Sequence, residues 1–190
     1  MIEAIKELDQ QLFLFLNSLN HPALDQAVYL MTDQLFWIPA YLVMLWMVYK
    51  SYGWKTMLWS LAGVAVAITL ADRMSVELFK NVFERYRPSH NLDIGDLIHT
   101  VNNYRGGKYG FVSSHAANSF AVATFIFLVI RQGFPRTAWW VFLWAALFSY
   151  TRIYLGVHYP ADIACGALLG IAIGQVVYFG FRKWIIVRYK

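Results

Sequence analysis

The chain is 190 residues long, enough for one domain or at most two, and is 59% hydrophobic, 18% aromatic and 14% charged. With a mean hydropathy of +0.45, it is too apolar for a soluble domain, which carries roughly 25% charge, and too apolar for a disordered one. One cysteine, 12 glycines and no heptads exclude disulfide scaffold, collagen and coiled coil, and the net charge of +5 fits membrane topology better than nucleic acid.

The expected class is an all-α integral membrane helical bundle of about five to six transmembrane helices with an N-terminal amphipathic helix. A single membrane-embedded domain over 1–190 is expected. No signal peptide is expected, because residues 1–9 carry Glu3, Glu7 and Asp9 beside Lys6 and the apolar run 12–16 is too short. Residues 1–20, above all 3–18, read as a helix lying at the interface. Spans of roughly 20 apolar residues are expected at about 24–49, 54–83, 114–130, 135–154 and 160–181. The second has a polar second half with Asp72, Arg73 and Glu77. There an Arg73–Glu77 pair is expected to form an ion-pair layer beneath the site, with Asp33 facing it. The one long loop, 86–112, is polar, Gly-rich and extracytoplasmic. Within it Tyr104 to Gly110 reads as a solvated loop or a headgroup contact. In the last span Gly166, Gly170 and Gly174 share one helix face and predict close packing.

Lys50, Lys55, Arg131, Arg136, Arg182, Lys183, Arg188 and Lys190 fall on one side without acids, which marks it as cytoplasmic. The opposite side carries Lys80, Arg85, Arg87, Arg105, Lys108 and Arg152 mixed with acids, against the topology rule.

Three clusters fall at span ends on that outward side. Lys80 and Arg87 are seven residues apart, nearly two turns, so they are expected on one helix face. Such a pair either holds an anion or snorkels to lipid headgroups. Ser113, Ser114 and His115 open the third span, where free N–H groups and the helix dipole favour an anion, and one serine is expected as the N-cap. Arg152 closes the fourth span. His158 and Asp162, four residues apart, begin the fifth. A carboxylate there can hold one imidazole nitrogen and free the other as a nucleophile, or merely cap the helix. A metal site uses the same pair, but its other ligands would have to come from elsewhere. Cations and N–H donors suit a phosphoryl group, and two histidines suit a nucleophile and a general acid.

Lys80-x6-Arg87-Pro88, Ser113-Ser114-His115 and Arg152-x5-His158-x3-Asp162 together resemble the tripartite signature of the type 2 phosphatidic acid phosphatase family, over about 72–170. Val112 and Ser114 stand where the family has Pro and Gly in Pro-Ser-Gly-His, and Thr151 stands where it has Ser. The resemblance implies a lipid phosphatase that needs no metal and no cofactor. It implies that His158 attacks phosphorus and forms a phosphohistidine, that Asp162 orients it, and that His115 protonates the leaving oxygen and then activates water. Lys80, Arg87 and Arg152 would hold the phosphoryl oxygens, with Ser113 and Ser114 donating hydrogen bonds. The partners so implied are a lipid phosphate and membrane lipids, with no nucleic acid. Undecaprenyl pyrophosphate, phosphatidylglycerol phosphate, phosphatidic acid and lipid A phosphate all fit, and the family analogy leans to the first two in a bacterial inner membrane. The rival reading is a non-enzymatic lipid transporter or anion-conducting protein, which needs no nucleophile with an orienting acid.

Overall fold

The structure, a computed structural model, describes residues 2–185, with side chains over 3–183; Arg188 and Lys190 of the charge pattern lie outside the described residues. The elements are helical throughout: α1 (Ile2–Ser18), α2 (Pro22–Met31), a 3-10 turn (Gln34–Trp37), α3 (Ile38–Met74), a π-helical turn (Ser75–Lys80), α4 (Asn81–Phe83), 3-10 turns (Pro88–His90 and Gly95–Leu97), α5 (Ser114–Ile130), α6 (Trp140–Tyr154) and α7 (Pro160–Ile185).

The run expected as one span over 24–49 is broken. Asp33 accepts from the Leu35 amide at 2.9 Å and caps the 3-10 turn, the local competition with helix that short acidic side chains provide. Asp33 is therefore a capping residue on an exposed turn and joins no charged layer. From Ile38 the helix runs to Gly53, whose φ of 80° only glycine adopts without strain. There α3 folds back on itself. Tyr41, Met44 and Leu45 of its first half line the same cavity, of about 310 Å³, as Leu61, Val64 and Ile68 of its second. The run Gln34–Phe83 and the helix segment Pro160–Lys183 are long and apolar enough to cross a membrane, and Ser114–Ile130 is a shorter apolar helix. The span expected from Pro135 becomes regular helix only at Trp140, after turns that close the end of α5 through Gly133 and Phe134 amides on the Ile130 carbonyl.

Helix α5 is the central post. Its Ala117, Ala121, Phe125 and Val129 are buried in one apolar core with Met44 and Val48, Ala67 and Ala71, Val141 and Trp144, and Ile173 and Val177. The expected glycine face of α7 lies flat on it. A Cβ at Gly166, Gly170 or Gly174 would stand 2.6, 2.3 or 2.6 Å from the carbonyl oxygens of Ser113, Ala117 and Ala121 respectively. Direct backbone contact of this kind lets α5 and α7 start side by side. The Ser113 amide donates to the Asp162 carbonyl at 3.0 Å and fixes that register.

Helix α1 is amphipathic as expected, with Ile5, Leu8, Leu12 and Phe15 exposed on one face. Its inner face is Asp9, Phe13 and Asn17, four residues apart and all buried. The Phe13 ring meets the Tyr159 ring edge-on at 5.4 Å. The Asn17 side chain donates to the His99, Ile153 and Tyr154 carbonyls at 3.1, 3.0 and 2.9 Å and accepts from the His99 amide at 2.8 Å. The first helix is thereby tied to the long loop and to the end of α6.

Candidate active site

The segment after α3 sets the first cluster. The π-helical turn carries Lys80, α4 ends at Phe83, and Glu84 turns the chain with φ of 43°. Arg87 is extended at φ −67° and ψ 156°, as the residue before Pro88 must be. Lys80 and Arg87 therefore do not share a helix face, which corrects the reading from their spacing; the chain turns between them. Their charges still act on one another and on the Arg152 and Asp162 region. The Arg73–Glu77 pair does form, at 3.3 Å, but on an exposed face, so it is no layer beneath the site.

At the head of α5, Ser113 is the N-cap, accepting from the Ala116 amide at 3.4 Å. Ser114 instead accepts from Lys80 Nζ at 2.6 Å and shares a 2.7 Å hydrogen bond with Ser75. The serine that replaces the family's glycine thus holds the lysine in place. His115 stacks obliquely near Phe148 at 5.6 Å and lies within electrostatic reach of Arg152, His158, Arg87 and Lys80. At the end of α6, Arg152 is 2% exposed. It donates to Thr32 and, at 2.9 Å, to Tyr104, over whose ring it also lies. Its Nε is buried without a hydrogen-bond partner among the described residues, a free donor suited to an anion. The loop 104–110 is accordingly built into the site. Besides Tyr104, the Lys108 carbonyl takes the Arg87 amide and the Arg105 carbonyl takes Ser89 Oγ.

His158 precedes α7, and both it and Asp162 are almost wholly buried. Arg87 donates to His158 Nε2 at 2.9 Å. A guanidinium has no acceptor, so Nε2 carries the lone pair and the proton sits on Nδ1, which faces Asp162 Oδ2 at 3.3 Å. The geometry selects the tautomer that leaves Nε2 nucleophilic. Burial, then the charges of Arg87, Arg152 and Lys80, push the His158 imidazole well below the ordinary histidine range, so it is neutral at physiological pH. Burial and then Arg152 bring Arg87 down to about 10, still charged at neutral pH. Gly110 permits this convergence. A Cβ there would meet Arg87 Cγ and Asp162 Oδ2 at 3.1 Å each and His158 Nδ1 at 3.5 Å.

Beyond the expected residues, Asp162 Oδ1 accepts from Arg85 at 2.9 Å, and Arg85 reaches Asp9 Oδ2 at 2.7 Å. The sequence shows Arg85 only as a surplus cation and Asp9 only as an acid on an amphipathic helix. The available signal is the Asp9-x3-Phe13-x3-Asn17 spacing, which puts two polar groups on one helix stripe with a phenylalanine. A cavity of about 1060 Å³ lies beside this pair, lined among others by Lys6, Asp9, Arg85, His90 and Tyr159.

With two histidines, three cations and an orienting carboxylate gathered at the heads of α5 and α7, the family comparison decides the assignment. The family model described as the PAP2 superfamily matches residues 55–186. The chain belongs to the PAP2 superfamily. It is 39% identical to the lipid A 4'-phosphatase of Bacteroides thetaiotaomicron over 184 residues, 96% of this chain and 81% of that protein. It is 37% identical to the lipid A 4'-phosphatase of Porphyromonas gingivalis over 188 residues, 97% of this chain and 79% of that protein. In fold it is similar to the crystal structure of a transmembrane PAP2-type phosphatidylglycerolphosphate phosphatase from Bacillus subtilis, with a TM-score of 0.66 at 20% identity, covering 98% of this chain and 90% of that one. This PAP2 protein is thus a membrane lipid phosphatase and an integral membrane protein. The transporter reading gives way to the hydrolase.

Proposed function

We propose that this PAP2 phosphatase removes the 4'-phosphate of a lipid A-type glycolipid through a phosphohistidine on His158. The observation that carries the mechanism is the Arg87–His158–Asp162 line, which fixes a neutral imidazole with its lone pair on Nε2. The substrate rests on the two lipid A 4'-phosphatases, similar over nearly the whole chain. The family lean toward undecaprenyl pyrophosphate or phosphatidylglycerol phosphate lacks such support, since likeness at 20% identity speaks for fold alone.

In the proposed sequence Nε2 attacks phosphorus in line, the bond from phosphorus to the sugar oxygen breaks, and His115 gives that oxygen its proton. Water, giving a proton to His115, then attacks the phosphohistidine, and inorganic phosphate leaves as His158 is restored. Asp162 faces the charge that grows on the imidazole. Lys80, Arg87 and Arg152 face the phosphoryl oxygens, and the free Arg152 Nε is a ready donor. Ser114 acts through its bond to Lys80, and the Ser113 cap orients the α5 amides. Read as five spans, the two halves of α3 with α5, α6 and α7, the chain carries the basic flanks Lys50, Lys55, Arg131, Arg136, Arg182 and Lys183 at the ends away from the site, which supports a site facing away from the cytoplasm. Helix α1 lies at that outer interface, and the membrane is a bacterial inner one.

The test is phosphate release in detergent from bis-phosphorylated lipid A, undecaprenyl pyrophosphate, phosphatidylglycerol phosphate and phosphatidic acid. Lipid A is expected to give the highest kcat/KM, and His158→Ala to lower turnover by more than about 10⁴-fold. Near-normal activity of that variant refutes the mechanism, and preference for another lipid refutes the substrate.

A further inference from the structure

Asp162 is fully buried, and each of its oxygens has assigned partners. Oδ2 accepts from the Tyr159 amide at 3.0 Å and faces His158 Nδ1. Oδ1 accepts from Arg85 at 2.9 Å. Apart from His158, Arg85 makes the only ion pair to Asp162 among the described residues. A buried carboxylate left without its cation is strongly disfavoured as an anion. Arg85 is itself held on several sides. Its second arm donates to Asp9 at 2.7 Å, its guanidinium lies 4.0 Å from the centre of the Tyr159 ring, and its carbonyl accepts from the Gly110 amide at 2.8 Å. Asp9 is 8% exposed, and its other oxygen accepts from the Ala161 amide at 2.8 Å, in the first turn of α7. The line His158–Asp162–Arg85–Asp9 therefore runs from the heart of the site into helix α1, about 150 residues away in sequence.

We infer that Arg85 and Asp9 are positioning residues for the hydrolysis, with α1 serving through Asp9 as a structural part of the active site. This rests on His158 as nucleophile. Arg85 keeps Asp162 charged and turned so that Oδ2 faces Nδ1, and Asp9 sets the angle of Arg85. Neither touches the reacting phosphoryl group. Removing either one disturbs the orientation of the nucleophile and leaves the phosphate-holding cations in place.

The experiment measures kcat and KM for phosphate release by Arg85→Ala, Arg85→Lys, Asp9→Asn and His158→Ala, each normalised to the folded fraction from size-exclusion chromatography. The lipid phosphate is the one the unaltered enzyme turns over fastest. Arg85→Ala and Asp9→Asn are expected to lower kcat about 10- to 100-fold, the order of loss for a misplaced reacting group, with KM within about twofold. Arg85→Lys recovers part of kcat, and added guanidinium ion recovers part of it in Arg85→Ala. If Arg85→Ala does not fold, Asp9→Asn and Arg85→Lys carry the kcat test. Unchanged kcat in folded variants overturns the inference, as does a raised KM at unchanged kcat, which would make Arg85 a substrate contact. An inactive His158→Ala beside fully active Arg85 and Asp9 variants sinks only this inference. An active His158→Ala sinks the nucleophile assignment beneath it.

Discussion

Replacing Gly170 with alanine tests whether backbone contact between α5 and α7 builds the site. The added Cβ would lie 2.3 Å from the Ala117 carbonyl oxygen and 2.9 Å from the Ala121 amide, against 3.4 Å or more for ordinary contact. The helices must part there by about 1 Å, and the neighbours are backbone atoms that cannot rotate away. Overpacking on this scale costs about 1–3 kcal/mol. The same displacement runs to the helix heads, where the Ser113 amide meets the Asp162 carbonyl at 3.0 Å. Misplacement of about 1 Å at a reacting group costs about 100-fold. Gly180→Ala is the control on the same helix, because nothing lies within 4 Å of its Cβ. Thermal unfolding and phosphate release are measured for both variants in one detergent. Gly170→Ala is expected to melt lower and turn over about 100-fold more slowly, and Gly180→Ala to match the parent. Parental melting and turnover in Gly170→Ala would refute the claim that this contact sets the geometry of the site.

His115→Asn should lower kcat by about 10²- to 10⁴-fold, the range for a proton-transfer group; a loss below tenfold removes His115 from that role. Because the folded state holds His158 below its ordinary value near 6.5, the unfolded chain binds the extra proton first as pH falls. This contribution to stability is complete above about pH 6.5 and declines below it. Melting temperatures that keep rising as pH falls from 7 to 5 would contradict the burial argument. Asn17→Ala removes the donor shared by the His99, Ile153 and Tyr154 carbonyls and the acceptor of the His99 amide, and should destabilise the fold by about 1–3 kcal/mol, read as a lower denaturant midpoint. Millimolar EDTA should leave phosphate release unchanged and orthovanadate should inhibit it; strong EDTA sensitivity would point to a metal at the His158–Asp162 pair.

The apolar runs, the glycine face of α7 and the three clusters at the helix ends were legible because each is a local pattern of spacing. The convergence of Lys80 and Arg87 was legible only as proximity. Its cause, a π-helical turn followed by a left-handed Glu84, leaves no periodic trace. The break at Asp33 was hidden for the opposite reason: one capping carboxylate outweighed a long hydrophobic stretch. The Asp9–Arg85 link was hidden by distance, since nothing local to either residue announces the other. Tyr104 likewise reads as loop composition in the sequence, because its partner Arg152, which lies over its ring, is distant along the chain.

The bond from Arg87 to His158 Nε2 has a consequence for selectivity. In the proposed mechanism attack on phosphorus requires Nε2 to give up that partner, and the buried Arg87 guanidinium is then left with only the neutral Tyr109 and Val157 carbonyls as acceptors. A phosphate monoester offers its own oxygens in exchange, so the swap is close to neutral. A carboxylic ester or an uncharged phosphotriester has no anionic oxygen to offer and would leave the cation with those neutral acceptors alone. In that mechanism the side chain that holds the nucleophile is also the one that meets the phosphoryl group, so an acyl ester of the same lipid is expected to be a poor substrate.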